Sequence, residues 1–264
     1  MNLRQAAIVV RQRTLLEVLD LACRFVFDRD PKLYRDLSAI VLLPCLALCV
    51  AARELAGWGW GFVWLFALGL GSVAQGVFTV VAGRLMFSEK LRPRAILGQY
   101  LARLGTYLSA LFMTRITMAL GFSVLLFGPV AWIRSAFVHE AVLLEGAGSG
   151  VEAFRRSAQF TRHHARSTFE LLLALSLVMV GCVVAGESLG HGIVDFAFQL
   201  GAPFGALLEE GGSVYALAGY FASVPFFATA RFLAYIDART RGDGWDIQVR
   251  FLAIQAESEE RLAA

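Results

Sequence analysis

The feature that most constrains this chain is the alternation of long apolar stretches with short segments that hold nearly all of its basic residues. A helix needs about 20 mostly apolar residues to cross the hydrocarbon core of a membrane. Basic segments between such helices tend to stay on the cytoplasmic side. The pattern therefore predicts an all-α integral membrane protein that crosses the membrane several times in a fixed orientation.

The composition supports this class. Hydrophobic residues make up 58% of the chain and charged residues 17%, whereas a soluble domain is roughly half apolar and about a quarter charged. The net charge of +3 is small, so nothing in it indicates a nucleic-acid partner. Arginine greatly outnumbers lysine, a bias that we interpret as that of a GC-rich bacterial gene. We therefore expect the protein in the bacterial cytoplasmic (inner) membrane.

Six membrane spans are predicted, at 34–52, 58–83, 105–127, 129–145, 168–186 and 213–236. The least regular part is 105–145, which is too long for one span. Its strongest break is Gly128-Pro129, so we divide it there into a hairpin. A single long span followed by an interfacial segment is the alternative.

The basic residues set the orientation of these spans. They are concentrated in four segments, at 1–37, 84–104, 152–166 and 231–261. With six spans, every second loop is basic, which predicts that both termini are cytoplasmic. The chain is then divided into a cytoplasmic amphipathic helix (1–33), a membrane domain (34–236) and a cytoplasmic tail (237–264).

Three amphipathic helices are predicted on the cytoplasmic side, at 15–28, 95–104 and 151–163. The first and third begin with capping-box motifs, Thr14-x-x-Glu17 and Ser149-x-x-Glu152. Their apolar stripes are typical of helices that lie in the membrane interface. Each precedes two predicted spans. This order is compatible with internal duplication, and equally with unrelated interfacial helices on the basic side.

Arg115 and Glu140 are charges that fall well inside predicted spans. Arg115 lies in the third span and Glu140 in the fourth, and a charge in the membrane needs a partner or water. Counted from Gly128 at about 1.5 Å per residue, the two lie at similar depth. We therefore predict an intramembrane polar pair between Arg115 and Glu140, with an anion site at Arg115 and His139 as the alternative. Arg134 is expected to extend towards the outer surface.

No residues are predicted to be catalytic. The chain has no nucleophile with an adjacent base, no phosphate-binding loop and no metal-binding motif, so we expect no cofactor and no metal. Basic residues on the amphipathic helices suit anionic lipid headgroups. The lipid-headgroup candidates are Arg92, Arg94, Arg155 and Arg162.

Three short stretches carry a family resemblance: Ala141-Val-Leu-Leu-Glu145-Gly146, Ala153-Phe-Arg-Arg156-Ser157, and the run from Tyr235-Ile-Asp237-Ala-Arg239-Thr-Arg241 to Trp245-Asp246-Ile. They resemble bacterial membrane proteins of the YciC-like group and the membrane domain attached to some glycerophosphodiester phosphodiesterases. The resemblance implies an all-helical inner-membrane domain without catalytic residues, and its motif positions here are Glu145, Arg156 and Ser157. Since Glu145 ends a predicted span and Arg156 follows in the next amphipathic helix, we predict a cytoplasmic brace between these two side chains.

Two functions agree with these features. The first is a non-enzymatic scaffold or accessory subunit that binds the lipid bilayer or a protein partner in the membrane or cytoplasm. It is favoured by the basic amphipathic helices and by the lack of catalytic groups. The alternative is a transporter or permease-like protein with a buried polar site around Arg115, which Pro44 and Pro225 inside predicted spans also favour.

Overall fold

The structure, a computed structural model, describes residues 13–86, 91–125, 127–162, 164–199 and 204–243. Across these ranges every regular element is a helix and none is a strand, which confirms the predicted all-α class. The helices are α1 (Leu15–Arg24), α2 (Pro31–Glu54), α3 (Trp60–Leu85), α4 (Pro93–Ala102), α5 (Leu104–Ser123), α6 (Gly128–Arg134), α7 (Val138–Glu140), α8 (Gly150–Thr161), α9 (Ala165–His191), α10 (Leu207–Glu210) and α11 (Val214–Asp243). Most of the predicted tail, 237–264, lies outside the described residues.

Four helical segments are long and apolar enough to cross a membrane, namely Pro31–Glu54, Trp60–Leu85, Ala165–Val194 and Val214–Arg241. They coincide with the first, second, fifth and sixth predicted spans. Large apolar side chains stay exposed along three of them, for example Leu43, Phe62 and Leu177. Such surfaces suit contact with lipid tails, as expected of a multi-pass membrane protein.

The closest helix packing is between α9 and α11. A Cβ on Gly186 would lie 2.7 Å from the Cα of Gly219, and a Cβ on Gly219 would overlap the carbonyl oxygen of Cys182. Small residues let membrane helices approach closely enough for dispersion contacts along their length. Helix α11 also packs on α3 and α2, so it is the central helix of the bundle.

The amphipathic helices begin as the sequence predicts. The Thr14 side chain accepts from the Glu17 amide, and the Glu17 carboxylate accepts from the Thr14 amide. Ser149 caps α8 by accepting from the Glu152 amide, although the Glu152 carboxylate accepts from Gly148 instead of completing the box. These caps satisfy backbone amides that have no partner within the helix.

The predicted fourth span, 129–145, is not a continuous helix, so the prediction of six spans is not confirmed. Helix α6 does begin at Gly128, but it ends at Arg134, and only three-residue α7 and a π-helical turn, Ala141–Glu145, follow. The chain from Ser135 to Leu143 is buried. Irregular backbone at membrane depth is tolerated where protein covers it.

The position of α6 explains the difference. Trp132 packs against Phe169, near the start of α9, with ring centroids 6.1 Å apart. Helix α6 has seven residues and is about 10 Å long, whereas α9 has 27 residues and is about 40 Å long. The turn at Gly128 therefore lies much nearer the start of α9 than its far end, and the α5–α6 hairpin does not reach the opposite side of the bundle.

Ser157 of α8 stabilises the break after α6. Its hydroxyl donates to the carbonyl oxygen of Arg134 at 2.7 Å and accepts from the amide of Phe137 at 2.9 Å. Both backbone groups lack helical partners because the helix stops there. Ser157, which the sequence identifies only through the family resemblance, therefore has a physical role. It makes hydrogen bonds to the backbone where the return segment (128–145) changes direction.

Candidate functional site

A cavity of about 200 Å³, partly open to the surface, lies between α3, α5, α9, α11 and the break after α6. Apolar side chains such as Leu68, Met179 and Phe227 form part of its wall. The rest of the lining is unusually polar for the interior of a membrane protein and includes Ser72, Gln75, Thr114, Arg115, Ser135, His139, Ser176, Tyr220, Ser223 and Arg231. Polar groups at this depth are expensive and are typical of substrate pathways and ligand sites.

Arg115 reaches the cavity from α5. Its guanidinium donates to the hydroxyl of Ser72 on α3, and that hydroxyl donates to the carbonyl of Leu68 at 2.7 Å. Among the described residues, no carboxylate lies within ion-pair distance of Arg115. The Arg115 charge is therefore balanced only by dipoles, which leaves it free to attract an anion.

Glu140 is paired with a different arginine from the one predicted. Its Oε2 lies 3.5 Å from Nη2 of Arg231 on α11, and Arg231 also donates to the carbonyl of Ala136. The predicted Arg115–Glu140 pair assumed a straight helix from Gly128 to Glu140. Because the return segment breaks after Arg134, the depth count fails and Glu140 faces α11.

His139 and Tyr107 form a buried hydrogen-bonded pair beside the cavity. The Tyr107 hydroxyl donates to the carbonyl of Ser72 at 2.7 Å and is also hydrogen-bonded to Nδ1 of His139. Since its only proton is used on Ser72, Nδ1 of His139 must be the donor of the second bond. The pair fixes the orientation of the imidazole ring. Tyr107 could not be predicted from the sequence, because nothing in the residues around it indicates a hydrogen bond to His139.

Two buried donors at this site have no partner among the described residues. They are Nε2 of Gln75 and Nε of Arg231. Both carboxylate oxygens of Glu140 also lack a hydrogen-bond partner, but Glu140 is not among the residues that line the cavity. Buried polar atoms are nearly always hydrogen-bonded, to protein or to water. Together with Arg115, these donors give the cavity an excess of hydrogen-bond donors and positive charge, so it suits a ligand that accepts hydrogen bonds and carries negative charge.

The side chains of the predicted brace do make contact. Nε of Arg156 lies 2.9 Å from Oε2 of Glu145. Two residues of α11 also reach this carboxylate: the Tyr235 hydroxyl donates to Oε1, and Nη1 of Arg239 lies 3.2 Å from it. Both come from the stretch quoted for the family resemblance, but sequence spacing gave no reason to join them to Glu145. The cytoplasmic location of the brace stays a prediction.

The four lipid-headgroup candidates lie at the surface. Arg92 and Arg94 are exposed at the start of α4, and Arg155 and Arg162 are exposed on and just after α8. Lipid binding by any of them stays a prediction. In the part of the chain that the structure describes, no group of three or more His, Cys, Asp or Glu side chains could hold a metal ion.

Comparison of the chain with protein-family models, with curated proteins and with solved structures gives no match. The resemblance to the YciC-like group therefore stays a proposal that is supported by the quoted residues alone. The geometry of the cavity is the main ground for a functional conclusion.

Proposed function

We propose that this protein binds a small anion inside the membrane and acts as a transporter or permease-like protein. One observation carries the proposal. Arg115, Arg231 and His139 line a single cavity, and among the described residues only Arg231 of these three has a carboxylate partner. Arg115 is an exposed side chain of α5. A guanidinium without a counterion attracts anions, most strongly where water is excluded and screening is weak.

The size of the cavity limits the ligand. A volume of about 200 Å³ corresponds to roughly six or seven water molecules at about 30 Å³ each. A small carboxylate or a phosphate-sized anion fits this volume. Ser135, Ser176 and Ser223 also line the cavity, but each hydroxyl donates its proton to a backbone carbonyl. The hydrogen bonds to the ligand would therefore come from Arg115, Gln75 and Arg231.

The proposed topology has four spans, α2, α3, α9 and α11, with both described ends of the chain on the cytoplasmic side of the bacterial inner membrane. Helices α4–α8 then form a block between the second and third spans. This arrangement keeps the basic segments 84–104 and 152–166 on one side, as the positive-inside rule requires. At the other end of the bundle, Arg53 is paired with Glu210 at 3.4 Å.

A scaffold or accessory subunit is the second candidate. Exposed arginines on α4 and α8, such as Arg94 and Arg155, give it surfaces for anionic lipids or an acidic partner. In this case the cavity would hold only water. The two candidates differ in whether the cavity binds an anion.

Trp132 lines the cavity and provides a direct test. We would keep it as the only tryptophan, replacing the other four by phenylalanine, and reconstitute the chain in lipid nanodiscs. Iodide, an anionic quencher, should quench Trp132 in a saturable way, and Arg115→Gln should remove the saturation. Quenching by neutral acrylamide should stay the same in both. Arg166→Gln is the matched control, because Arg166 is 94% exposed and pairs only with Glu170 on its own helix.

Transport is tested separately, in proteoliposomes loaded with a panel of small carboxylates and phosphate. Flux that is lost in Arg115→Gln and retained in Arg166→Gln would support a transporter. Saturable iodide binding without flux of any anion would favour a binding accessory subunit. Iodide quenching that never saturates in the parent chain would overturn the anion site itself.

A further inference from the structure

A second basic site lies apart from the cavity residues described above, where α6, α8 and the start of α9 meet. Arg134 at the end of α6 lines a groove of about 540 Å³ together with Arg155 and Arg162. In the proposed topology Arg134 lies at the basic end of the bundle and not at the outer surface that the sequence predicts, because Ala165, the first residue of α9, lines the same groove. The short α6 carries Arg134 to the basic end of the bundle.

No residue that the structure describes neutralises the three guanidinium groups. All three residues are exposed, and no ion pair involves any of them within the described ranges. The groove lining contains no Asp or Glu; its polar members other than the arginines are Gln159 and Thr161. Three like charges that converge without a counterion repel one another, so an anion between them relieves the repulsion.

The start of α9 adds a second attraction for an anion. His164, the N-cap residue, makes no side-chain cap, so the first amides of a 27-residue helix are left for another acceptor. Such amides and the helix dipole favour phosphate and similar anions at a helix N-terminus. Guanidinium forks match phosphate oxygens in geometry as well as in charge. The two features point to the same ligand chemistry.

The apolar part of the groove identifies the source of that anion. Val130 and Ile133 of α6 line it beside the arginines, and Val130 is exposed. The groove also lies at the end of a candidate membrane span, Ala165–Val194, where headgroups and acyl chains meet. A free anion gains no binding energy from apolar neighbours. A phospholipid offers a phosphate to the arginines and an acyl chain to the apolar side chains.

We propose that this groove binds the phosphate of an anionic phospholipid through Arg134, Arg155 and Arg162, with the acyl chain along Val130 and Ile133. The site does not depend on anion binding in the interior cavity. It also differs from general attraction to basic helices, because Arg92 and Arg94 on α4 are not part of it.

The test uses the full chain in detergent with an equimolar mixture of phosphatidylglycerol and phosphatidylcholine that have the same acyl chains. Native mass spectrometry measures the two lipid adducts. The parent protein should retain phosphatidylglycerol preferentially, and each of R134Q, R155Q and R162Q should weaken that binding roughly fivefold. The phosphatidylcholine adduct should not change. Because the three side chains are exposed, the variants should unfold at the parental temperature.

Two controls decide the assignment. The double variant R92Q/R94Q removes the same kind of charge from α4 and should keep phosphatidylglycerol binding, as should R115Q in the cavity. An equal loss in R92Q/R94Q would show unspecific attraction and overturn the groove. Inorganic phosphate in excess should leave the lipid adduct in place; if it displaces the adduct, free phosphate is the ligand and the lipid assignment fails.

Discussion

Glu140 of α7 and Arg231 of α11 form a buried ion pair, with side chains 0% and 8% exposed and 3.5 Å between their charged atoms. Arg231 also donates to the carbonyl of Ala136, so a single guanidinium holds both the carboxylate and the backbone of the broken return segment against the central helix. The pair stabilises the wall of the cavity. It also assigns Arg231 a structural counterion and leaves Arg115 as the cation available to a ligand.

We expect Glu140→Gln to destabilise the protein by about 3 kcal/mol, because removing one partner of a buried pair leaves the other charge uncompensated. Arg231→Met should have a similar effect. The double variant Glu140→Leu/Arg231→Met should recover most of the loss, since apolar residues of similar volume often replace a buried pair at little cost. Thermal unfolding in detergent measures all three. Losses that simply add in the double variant would show that the two residues do not act as a pair.

The contact between α9 and α11 should depend on its glycines. We expect Gly219→Ala to destabilise the bundle by about 2 kcal/mol, since the added methyl overlaps the Cys182 carbonyl and overpacking costs about 1–3 kcal/mol. Gly181→Ala on the same pair of helices is the matched control. Its Cβ would meet nothing within 4 Å, so alanine should stabilise the helix by roughly 0.5–1 kcal/mol. Equal effects of the two substitutions would contradict the close packing.

The position of the α5–α6 turn distinguishes four spans from six. In a cysteine-free background, we expect Leu208→Cys to react with an impermeant maleimide from outside and Ser149→Cys only from inside; both positions are exposed. Leu125→Cys, which lies in the turn before Gly128, should not react from outside. Outside labelling of Leu125→Cys would restore the six-span hairpin and contradict the non-spanning α6.

The Glu145 cluster should be stabilised more by its buried partner than by its exposed one. Tyr235 is 2% exposed, and Tyr235→Phe should cost about 1 kcal/mol, the usual contribution of one hydrogen bond. Arg156→Ala should cost about 0–1 kcal/mol, because its side chain is 44% exposed and solvent screens the pair. Chemical unfolding of each variant gives the order. A larger loss in Arg156→Ala would mean that the brace, and not the tyrosine, holds α8 to the bundle.

The charge pattern predicts the orientation of the spans but not their number. The positions of the basic segments predict which ends of the spans lie on the same side of the membrane. This prediction is consistent only with an even number of spans. It cannot separate four from six when the loop in question, at Gly128-Pro129, carries no charge. Hydropathy favoured a span at 129–145 because a buried irregular segment is as apolar as a spanning helix, whereas 105–127 does form the continuous helix α5 over most of its length.

The sequence by itself determined the helical class, the four long apolar helices, the caps at Thr14 and Ser149, and the presence of a polar group at Arg115, because each depends on local composition or on neighbours a few residues apart. Only the tertiary structure decided the pairing of Glu140 with Arg231, the hydrogen bond from Tyr235 to Glu145, and the placement of Arg134, Arg155 and Arg162 along one groove. Those contacts depend on where a helix breaks and how it is rotated against the others. Small differences in close packing determine both, and periodicity along one chain does not record them.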